Sequence, residues 1–394
     1  MTTDLFIVNG ARTPMADYTG KLKDISALDL GATASRAALE RSGVAAADVD
    51  HVVFGNVLQS SPDAVYGARH IGLRTGLPIE TPALTVNRLC GSGIQAAISG
   101  GQMIRLGEAE VVLTGGTESM SQAPHVVRGL RSGLRLGPGQ LEDSLWSALL
   151  DTHCGCTMAA TAERCASTYG ITRDEQDRYA LRSQQLAAAA WREGRLQEEV
   201  VPIEIKGRKG TEVFAQDDHL RPDSTLEGLA KLPPAFGKDG CVTAGNASGI
   251  VDGAAALVLA SARAVETHRL QPLGTLTHWA TVGVEPSMMG MGPAPASRKV
   301  LQLAGLTFND IDLIEINEAF AAQYLAVEKE LGLDRDRVNV NGGAIALGHP
   351  LGMTGTRLLL TLILELRRRG LKRGLAAACI GGGQGIAAIV ETTT

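Results

Sequence analysis

Six cysteines and eight histidines occur in the 394 residues, and few of them stand where a chain can use them for chemistry. Cys90 is the sharpest. It lies in Asn87-Arg88-Leu89-Cys90-Gly91-Ser92-Gly93, which reads as a strand-to-helix junction. A cysteine at a helix N-terminus has its thiolate stabilised by free backbone N–H groups and the macrodipole. The glycines beside it let a substrate approach the backbone. An inert buried cysteine is the ordinary alternative. His349 lies in Gly342-Gly343-Ala344-Ile345-Ala346-Leu347-Gly348-His349-Pro350, and the proline pushes its backbone away from the helical region. A histidine held near a thiol can serve as its general base. The other seven histidines have no such glycine setting and read as ordinary surface or core residues.

Two further patches carry polar or reactive groups at strand ends. Cys379-Ile380-Gly381-Gly382-Gly383-Gln384-Gly385 follows a run of small residues. Its glycine spacing is not that of a dinucleotide fingerprint, and Ile386 to Val390 reads as another strand rather than a helix. A tight turn with free N–H groups, able to cradle an oxyanion, fits better. Ile316-Asn317-Glu318-Ala319-Phe320 presents Asn317 and Glu318, although Asn317 also suits a helix cap. His153, Cys154, Cys156 and Cys165 invite a metal reading, but no paired Cys-x-x-Cys knuckle is present, so no metal is expected. Cys241 has no partner in view.

These residues must be positioned by a framework, and the framework is repeated. Ala34 through Asp50 resembles Ala296 through Asp312 at an offset of 262. Ala34, Ser35, Arg36, Leu39, Gly43, Asp48 and Asp50 match Ala296, Ser297, Arg298, Leu301, Gly305, Asp310 and Asp312. Each copy reads as a helix ended by a glycine, an acidic turn and a strand. Without a gap, Leu89 and Gly93 match Leu351 and Gly355, and His349 falls at the place of Asn87. If the duplicated junctions face each other, Cys90 and His349 form a pair. Strands alternating with helices predict α/β layers with buried strands. Residues 118–250 have no counterpart in the second copy and read as an insertion, with residues near 250 returning to the first half, between a first part over 1–117 and a second half over 251–394. The insertion contains one clear helix, with Thr172 and Glu175 as a capping box, Tyr179, Leu186 and Ala190 as its stripe, and Gly194 at its end. Lys206-Gly207-Arg208-Lys209-Gly210 reads as a solvated hairpin turn rather than a phosphate contact.

Composition narrows the function classes. The chain is 44% hydrophobic and carries a formal net charge of −5, so nucleic acid is not an expected partner. No run approaches the ~18 apolar residues of a membrane span. The opening Met1-Thr2-Thr3-Asp4 leads straight into Leu5-Phe6-Ile7-Val8, unlike a signal or transit peptide. Few cysteines and no targeting segment predict a reduced, cytoplasmic protein. Glycine, at 47 residues, is well above the usual ~7% share and is concentrated at the patches above.

At those patches the sequence resembles the thiolase family over about residues 5 to 390. Cys90-Gly91-Ser92-Gly93, Asn317-Glu318-Ala319-Phe320, Gly348-His349-Pro350 and Cys379-x-Gly381-Gly382-Gly383 match the family's four catalytic loops. Gly115 to Ser121 and Thr243 to Gly249 match as well. The resemblance implies a layered α/β/α/β/α fold built from two duplicated halves with an inserted loop domain. It implies reversible, CoA-dependent thiolytic cleavage of 3-ketoacyl-CoA, with coenzyme A as co-substrate and no tightly bound cofactor. Cys90 is then the nucleophile. His349 activates it and, with a water held by Asn317, stabilises the thioester enolate. Cys379 is the acid–base at the acetyl carbon. The N–H groups of Cys90 and Gly381 form a second oxyanion hole. Ser248 and Arg221 match positions that hold the pantetheine and adenine parts of CoA, and Leu149, Met158, Ala244, Phe236, Met289, Ala319 and Phe320 line the tunnel. The resemblance also implies a homotetramer, with the glycine-rich segment Gln122 to Gln140 joining two dimers.

Gly55 to Ser61 and Leu141 to Trp146 resemble the degradative, fatty-acid β-oxidation branch. One departure bears on substrate. The acetyl-specific branch carries His-Met-Gly where this chain has Thr157-Met158-Ala159, which puts acetyl-only specificity in doubt. The alternative is a biosynthetic acetyl-CoA acetyltransferase using the same residues in condensation. A decarboxylating ketoacyl synthase has no need of Cys379. A silent CoA-binding scaffold predicts eroded loops, and a redox protein built on Cys90 and Cys379 predicts a close Cys-x-x-Cys; the sequence has neither.

Overall fold

The computed structural model describes residues 4–207 and 210–393. Arg208 and Lys209 of the basic turn lie outside them, as do Met1, Thr2 and Thr3. The strands that position the site are β1 (Leu5–Arg12), β2 (His51–Gly55), β3 (Ala83–Val86), β4 (Val111–Glu118), β5 (Val251–Ser261), β6 (Gly274–Gly283), β7 (Leu313–Ile316), β8 (Arg373–Ile380) and β9 (Gln384–Thr392). They run in the spatial order β7-β8-β9-β6-β1-β5-β4-β2-β3. The helices around them are α1 (Ala27–Ser42), α2 (Gly67–Thr75), α3 (Ser92–Arg105), α4 (Met158–Tyr169), α5 (Arg173–Arg192), α6 (Pro293–Ala304), α7 (Ala321–Leu331) and α8 (Leu351–Arg369).

The 262-residue repeat is visible in three dimensions. β4 and β8 coincide at that offset over their full length, β2 corresponds to β7, and α3 corresponds to the middle of α8. Gly43 and Gly305 close α1 and α6 in the left-handed region, at φ 70° and 67°. A glycine adopts that conformation without the Cβ penalty. Two parallel pairings in the first half (β2 with β3 and with β4) and one in the second (β7 with β8) are extended by antiparallel strands. Among the described residues, the two half-sheets pair at Phe6–Thr275 and Ile7–Gly274.

Helices α3 and α8 pack on each other and against both half-sheets. Helices α1 and α2 cover the outer face of the first half, and α6 and α7 that of the second. The result is the layered α/β/α/β/α arrangement. The strands read as near-continuous apolar runs because both faces are covered; all of β5 is buried. The central helices approach closely because their crossing residues are glycines. A Cβ on Gly93 or on Gly355 would meet backbone nitrogen of the other helix, Thr356 or Ile94. These glycines are themselves related by the repeat.

β5 pairs with β1 and β4. The strand after the insertion therefore completes the first half, and a boundary at residue 251 is too early by one strand. The insertion is anchored by Arg12 at the end of β1. Its fully buried guanidinium donates to Glu199 at 2.6 Å and to Asp217 at 2.7 and 2.9 Å. Removing one partner of such a pair leaves a buried charge uncompensated, at about 3–5 kcal/mol. Helix α5 begins with the expected Thr172–Glu175 capping box. Ile203–Gly207 and Gly210–Phe214 pair as a hairpin around the basic turn. Among the described residues, no helix is long and apolar enough to cross a membrane, and no group of three or more His, Cys, Asp or Glu is placed to hold a metal.

Candidate active site

Cys90 sits in a tight turn, Leu89–Gly91, that leads directly into α3. Leu89 is held at φ 46°, a costly conformation for a residue with a side chain. Three hydrogen bonds stabilise it: Leu89 N donates to Asn87 Oδ1 (3.0 Å), Arg88 N to Ser92 Oγ (2.8 Å), and Ser92 Oγ to Leu89 O (2.7 Å). The turn aims Cys90 at the glycine turn after β8. Burial pushes the Cys90 thiol up to about 11, opposed by N–H donation from Gly381 and from Cys90 itself, while the buried Glu118 carboxylate adds to the rise. Gly91, the last residue of the turn, packs against Ile380 and Ile386, whose side chains a Cβ there would displace.

His349 approaches on the loop between Gly348 and α8. Its backbone N–H donates to Gly249 O at 2.9 Å. Its Nδ1 lies 2.6 Å from Thr354 Oγ1, and Thr354 donates its one hydroxyl proton to Pro350 O at 2.9 Å. Oγ1 is therefore the acceptor, the imidazole proton is on Nδ1, and the Nε2 lone pair faces the site. Asn317 Nδ2 lies 3.3 Å from Nε2, and Asn317 Oδ1 is buried with no hydrogen-bond partner among the described residues. Burial, helped by the positive charge of Arg357, pulls His349 down to about 3, so the ring is neutral at ordinary pH. Leu351, two residues on, packs against Cys90.

Cys379 ends β8 and is fully buried with Met289 and Ala319, against Met158 and Phe320. Burial raises its thiol well above the ordinary range, and the nearby Cys90 raises it further. A thiol so placed stays protonated until a reaction demands the proton.

Two buried carboxylates fix the loops. Glu318 accepts from Tyr179 (2.6 Å), Ser183 (2.7 Å), Asn339 (3.0 Å) and the backbone of Ile345 (3.2 Å), which ties the His349 loop to β7 and α5. Glu118 accepts from Asn56, Leu58, Val57 and Gly352 and so clamps the start of α8 to the end of β4. Burial pushes Glu118 up to about 7.

Family models for the thiolase N-terminal domain and the thiolase C-terminal domain match residues 5–263 and 270–392. The chain belongs to the thiolase family. It is 55% identical over 390 residues to the human mitochondrial 3-ketoacyl-CoA thiolase, covering 99% of this chain and 98% of that one. It is 48% identical over 396 residues to the acetyl-CoA acetyltransferase of Syntrophomonas wolfei, covering 99% of this chain and all of that one. A crystal structure of the human mitochondrial thiolase in complex with CoA superposes with a TM-score of 0.97 at 54% identity, covering 100% of this chain and 99% of that one.

In this thiolase a cavity of about 470 Å³ opens beside His349. Leu149, Phe236, Ala244, Ser248 and Phe320 line it. Ser248 N donates to Ala319 O at 3.0 Å, so the Ser248 loop is stitched to the Asn317 loop. Met158, Met289 and Ala319 lie deeper, around Cys379 rather than on the cavity wall. Arg221 is not on that wall either. It lines an adjoining pocket that shares His219 and Ala244, and its guanidinium donates to Asp17 at 2.7 Å. Asn317 does not cap a helix: α7 starts four residues later, behind Phe320.

Sequence reasoning passed over Thr354, Glu118 and His219. Thr354 lies five residues after His349, one helical turn into α8, and that spacing could have flagged it. Glu118 follows Gly115-Gly116 at a strand end, the setting that singled out Asn317. His219, which lines the cavity, has no such mark in the sequence.

Proposed function

We propose that this chain cleaves 3-ketoacyl-CoA with coenzyme A, releasing acetyl-CoA and an acyl-CoA shortened by two carbons, as in fatty-acid β-oxidation. The observation that carries the proposal is a buried histidine whose Nδ1 is held by Thr354 and whose Nε2 meets Asn317, on the loop whose Leu351 packs against Cys90.

The steps balance. His349 Nε2 takes the Cys90 proton as sulfur attacks the ketone carbon, and the N–H groups of Cys90 and Gly381 receive the developing oxyanion. Collapse breaks the bond between C2 and C3. It leaves the acyl group on Cys90 and an acetyl-CoA enolate, whose oxygen accepts from the protonated His349 and from a water on Asn317. Cys379 gives its proton to the enolate carbon. The incoming CoA thiol returns a proton to Cys379 and displaces Cys90, which recovers its own proton from His349. Ser248 and the apolar wall of Leu149, Phe236, Ala244 and Phe320 hold the pantetheine, with Arg221 at the outer end for the adenine. Met158, Met289 and Ala319 enclose the reacting end.

Thr157 supports the degradative reading over acetyl-CoA condensation. Its hydroxyl accepts from Ala160 N at 3.2 Å and is used up capping α4, so no polar group projects beside Met158. Assembly belongs to the same proposal: Leu130, Leu134 and Leu136 stand exposed on the 122–140 loop, apolar surface that a homotetramer would cover. Incubation with acetoacetyl-CoA and CoA tests the chemistry directly. Two acetyl-CoA should form per acetoacetyl-CoA consumed; acetoacetate released by hydrolysis, or no turnover at all, would remove the proposal.

A further inference from the structure

Cys154 and Cys156 lie outside the catalytic groups. Cys154 lies in the turn, and Cys156 begins the return strand, of a short hairpin in which Leu150–Asp151 pairs with Cys156–Thr157. The residue between them, Gly155, is at φ 66°, which folds the chain back on itself. Two residues separated by one position cannot have Cα atoms more than about 7 Å apart, close to the span of a disulfide. Here the left-handed glycine brings them nearer. The Cys156 thiol points back at Cys154 O, at 3.4 Å, and the Cys154 thiol at Asp151 O, at 4.0 Å. Cys154 is partly exposed and Cys156 is buried. The Asp151 carboxylate lies beside Cys154, and its Oδ2 is buried with no hydrogen-bond partner among the described residues.

The hairpin is the wall of the acyl site. Met158 N donates to Leu149 O at 2.9 Å and closes its base. Leu149 lines the cavity and packs in the Cys90 cluster; Met158 packs on Cys379 and stands nearest Gly381 after Leu89. Any change in the turn reaches both catalytic cysteines through these two side chains.

We propose that Cys154 and Cys156 form a reversible disulfide that reshapes the acyl-binding wall. This consequence, though not the bond itself, rests on the thiolase activity proposed above. The oxidant is a low-molecular-weight disulfide such as glutathione disulfide. Cys154, the exposed thiol, gives its proton to Asp151 and attacks one glutathione sulfur. The first glutathione leaves as a thiolate and takes that proton. Cys156 sulfur then attacks Cys154 sulfur in the mixed disulfide, and the second glutathione leaves with the Cys156 proton. Two thiols are oxidised and one glutathione disulfide is reduced to two glutathiones. Partial desolvation, then contact with Cys156 and Asp151, pushes the resting Cys154 thiol up, which keeps it reduced until the oxidant is abundant. A ring this small is strained, and strained disulfides are the readily reduced, regulatory kind.

The test uses the full chain treated with glutathione disulfide, alkylated with iodoacetamide and digested with trypsin. Both cysteines fall in one peptide, Leu136 to Arg164. The expected result is that peptide two hydrogens lighter and without alkyl groups, restored by dithiothreitol and absent in Cys154→Ser. Full alkylation of both cysteines, a persistent glutathione adduct, or a cross-link to Cys90 would overturn the bond. In parallel, kcat/KM for a 3-ketooctanoyl substrate should fall about tenfold relative to acetoacetyl-CoA on oxidation. Cys154→Ser, under the same oxidant, should show no such change in ratio. A disulfide that forms without changing that ratio would overturn the coupling. The peptide map requires no activity, so its outcome is separate from that of the thiolase reading.

Discussion

His349 donates from Nδ1 to Thr354 Oγ1 across 2.6 Å, and Thr354 is itself committed to the Pro350 carbonyl. The hydroxyl thereby decides which ring nitrogen meets the substrate. Thr354→Val keeps the shape and removes the acceptor; Thr354→Ser restores it. The valine variant should lose about tenfold in kcat, the value of one hydrogen bond at the transition state, with KM little changed and serine rescuing most of the loss. Equal loss of kcat in both variants would reduce Thr354 to a packing role.

Cys90 should carry the acyl group. Incubation with acetyl-CoA should add an acetyl mass to the peptide containing Cys90, and Cys90→Ser should lose cleavage and condensation together. Because burial holds the free thiol near 11 and His349 near 3, the thiolate forms mainly when a base receives its proton. Iodoacetamide labelling of Cys90 should therefore climb steadily from pH 7 to 10. His349 protonation should contribute no acid limb to kcat/KM above about pH 4, since a group with a depressed pKa gains its proton only on reaching that low value. A plateau in labelling by pH 8 would contradict this electrostatic picture.

Cys379 should govern proton exchange rather than acyl transfer. Cys379→Ser should still acquire the acetyl group on Cys90. Deuterium exchange into the methyl of acetyl-CoA should slow by roughly 10²–10⁴, the usual worth of a general acid–base group. Exchange at the wild-type rate, followed by NMR, would assign the step to another residue.

Much of this arrangement could be read from residue order because the repeat carries it. The match of Gly43 with Gly305 and of Gly93 with Gly355 reflects helix ends and a helix crossing that tolerate only glycine, so the physics left a trace in sequence. The capping box at Thr172 was legible for the same reason: it is local. Contacts across long separations left no such trace. Glu118 meets Gly352 across 234 positions, and Arg12 meets Asp217 across 205. The sequence places the return to the first half near residue 250, but only the pairing of β5 with β1 and β4 shows that the whole strand to Ser261 belongs there. Arg221 lines the adjoining pocket and pairs with Asp17, a wall residue of the Ser248 cavity that lies 204 positions away.

The glycine crossing makes its own prediction. Gly93→Ala would place a methyl on the Thr356 backbone, which cannot move without shifting α8 and with it Leu351 beside Cys90. Overpacking of this kind costs about 1–3 kcal/mol. Urea unfolding should show a lower midpoint for Gly93→Ala and for Gly355→Ala. The double variant should depart from additivity, because the two sites touch. Wild-type midpoints would mean the central helices separate freely.

Substrate length separates the degradative reading from acetyl-CoA condensation. The wall at Leu149, Met158 and Met289 is apolar, and methionine adapts to chains of different length. Thr157 spends its hydroxyl on Ala160 N and puts no imidazole beside that wall. Each methylene the tunnel accepts adds about 0.8 kcal/mol of binding. Measured at saturating CoA, kcat/KM should rise from acetoacetyl-CoA to 3-ketohexanoyl- and 3-ketooctanoyl-CoA. Thr157→His should reverse the trend by narrowing the site, and it should also lower helix stability slightly through loss of the cap. The two effects are separable, since Thr157→Ala loses the cap without adding a ring and should keep the wild-type length profile. Activity that peaks at acetoacetyl-CoA in the wild type, and collapses one or two carbons beyond it, would make condensation of two acetyl-CoA the better reading of the same four loops.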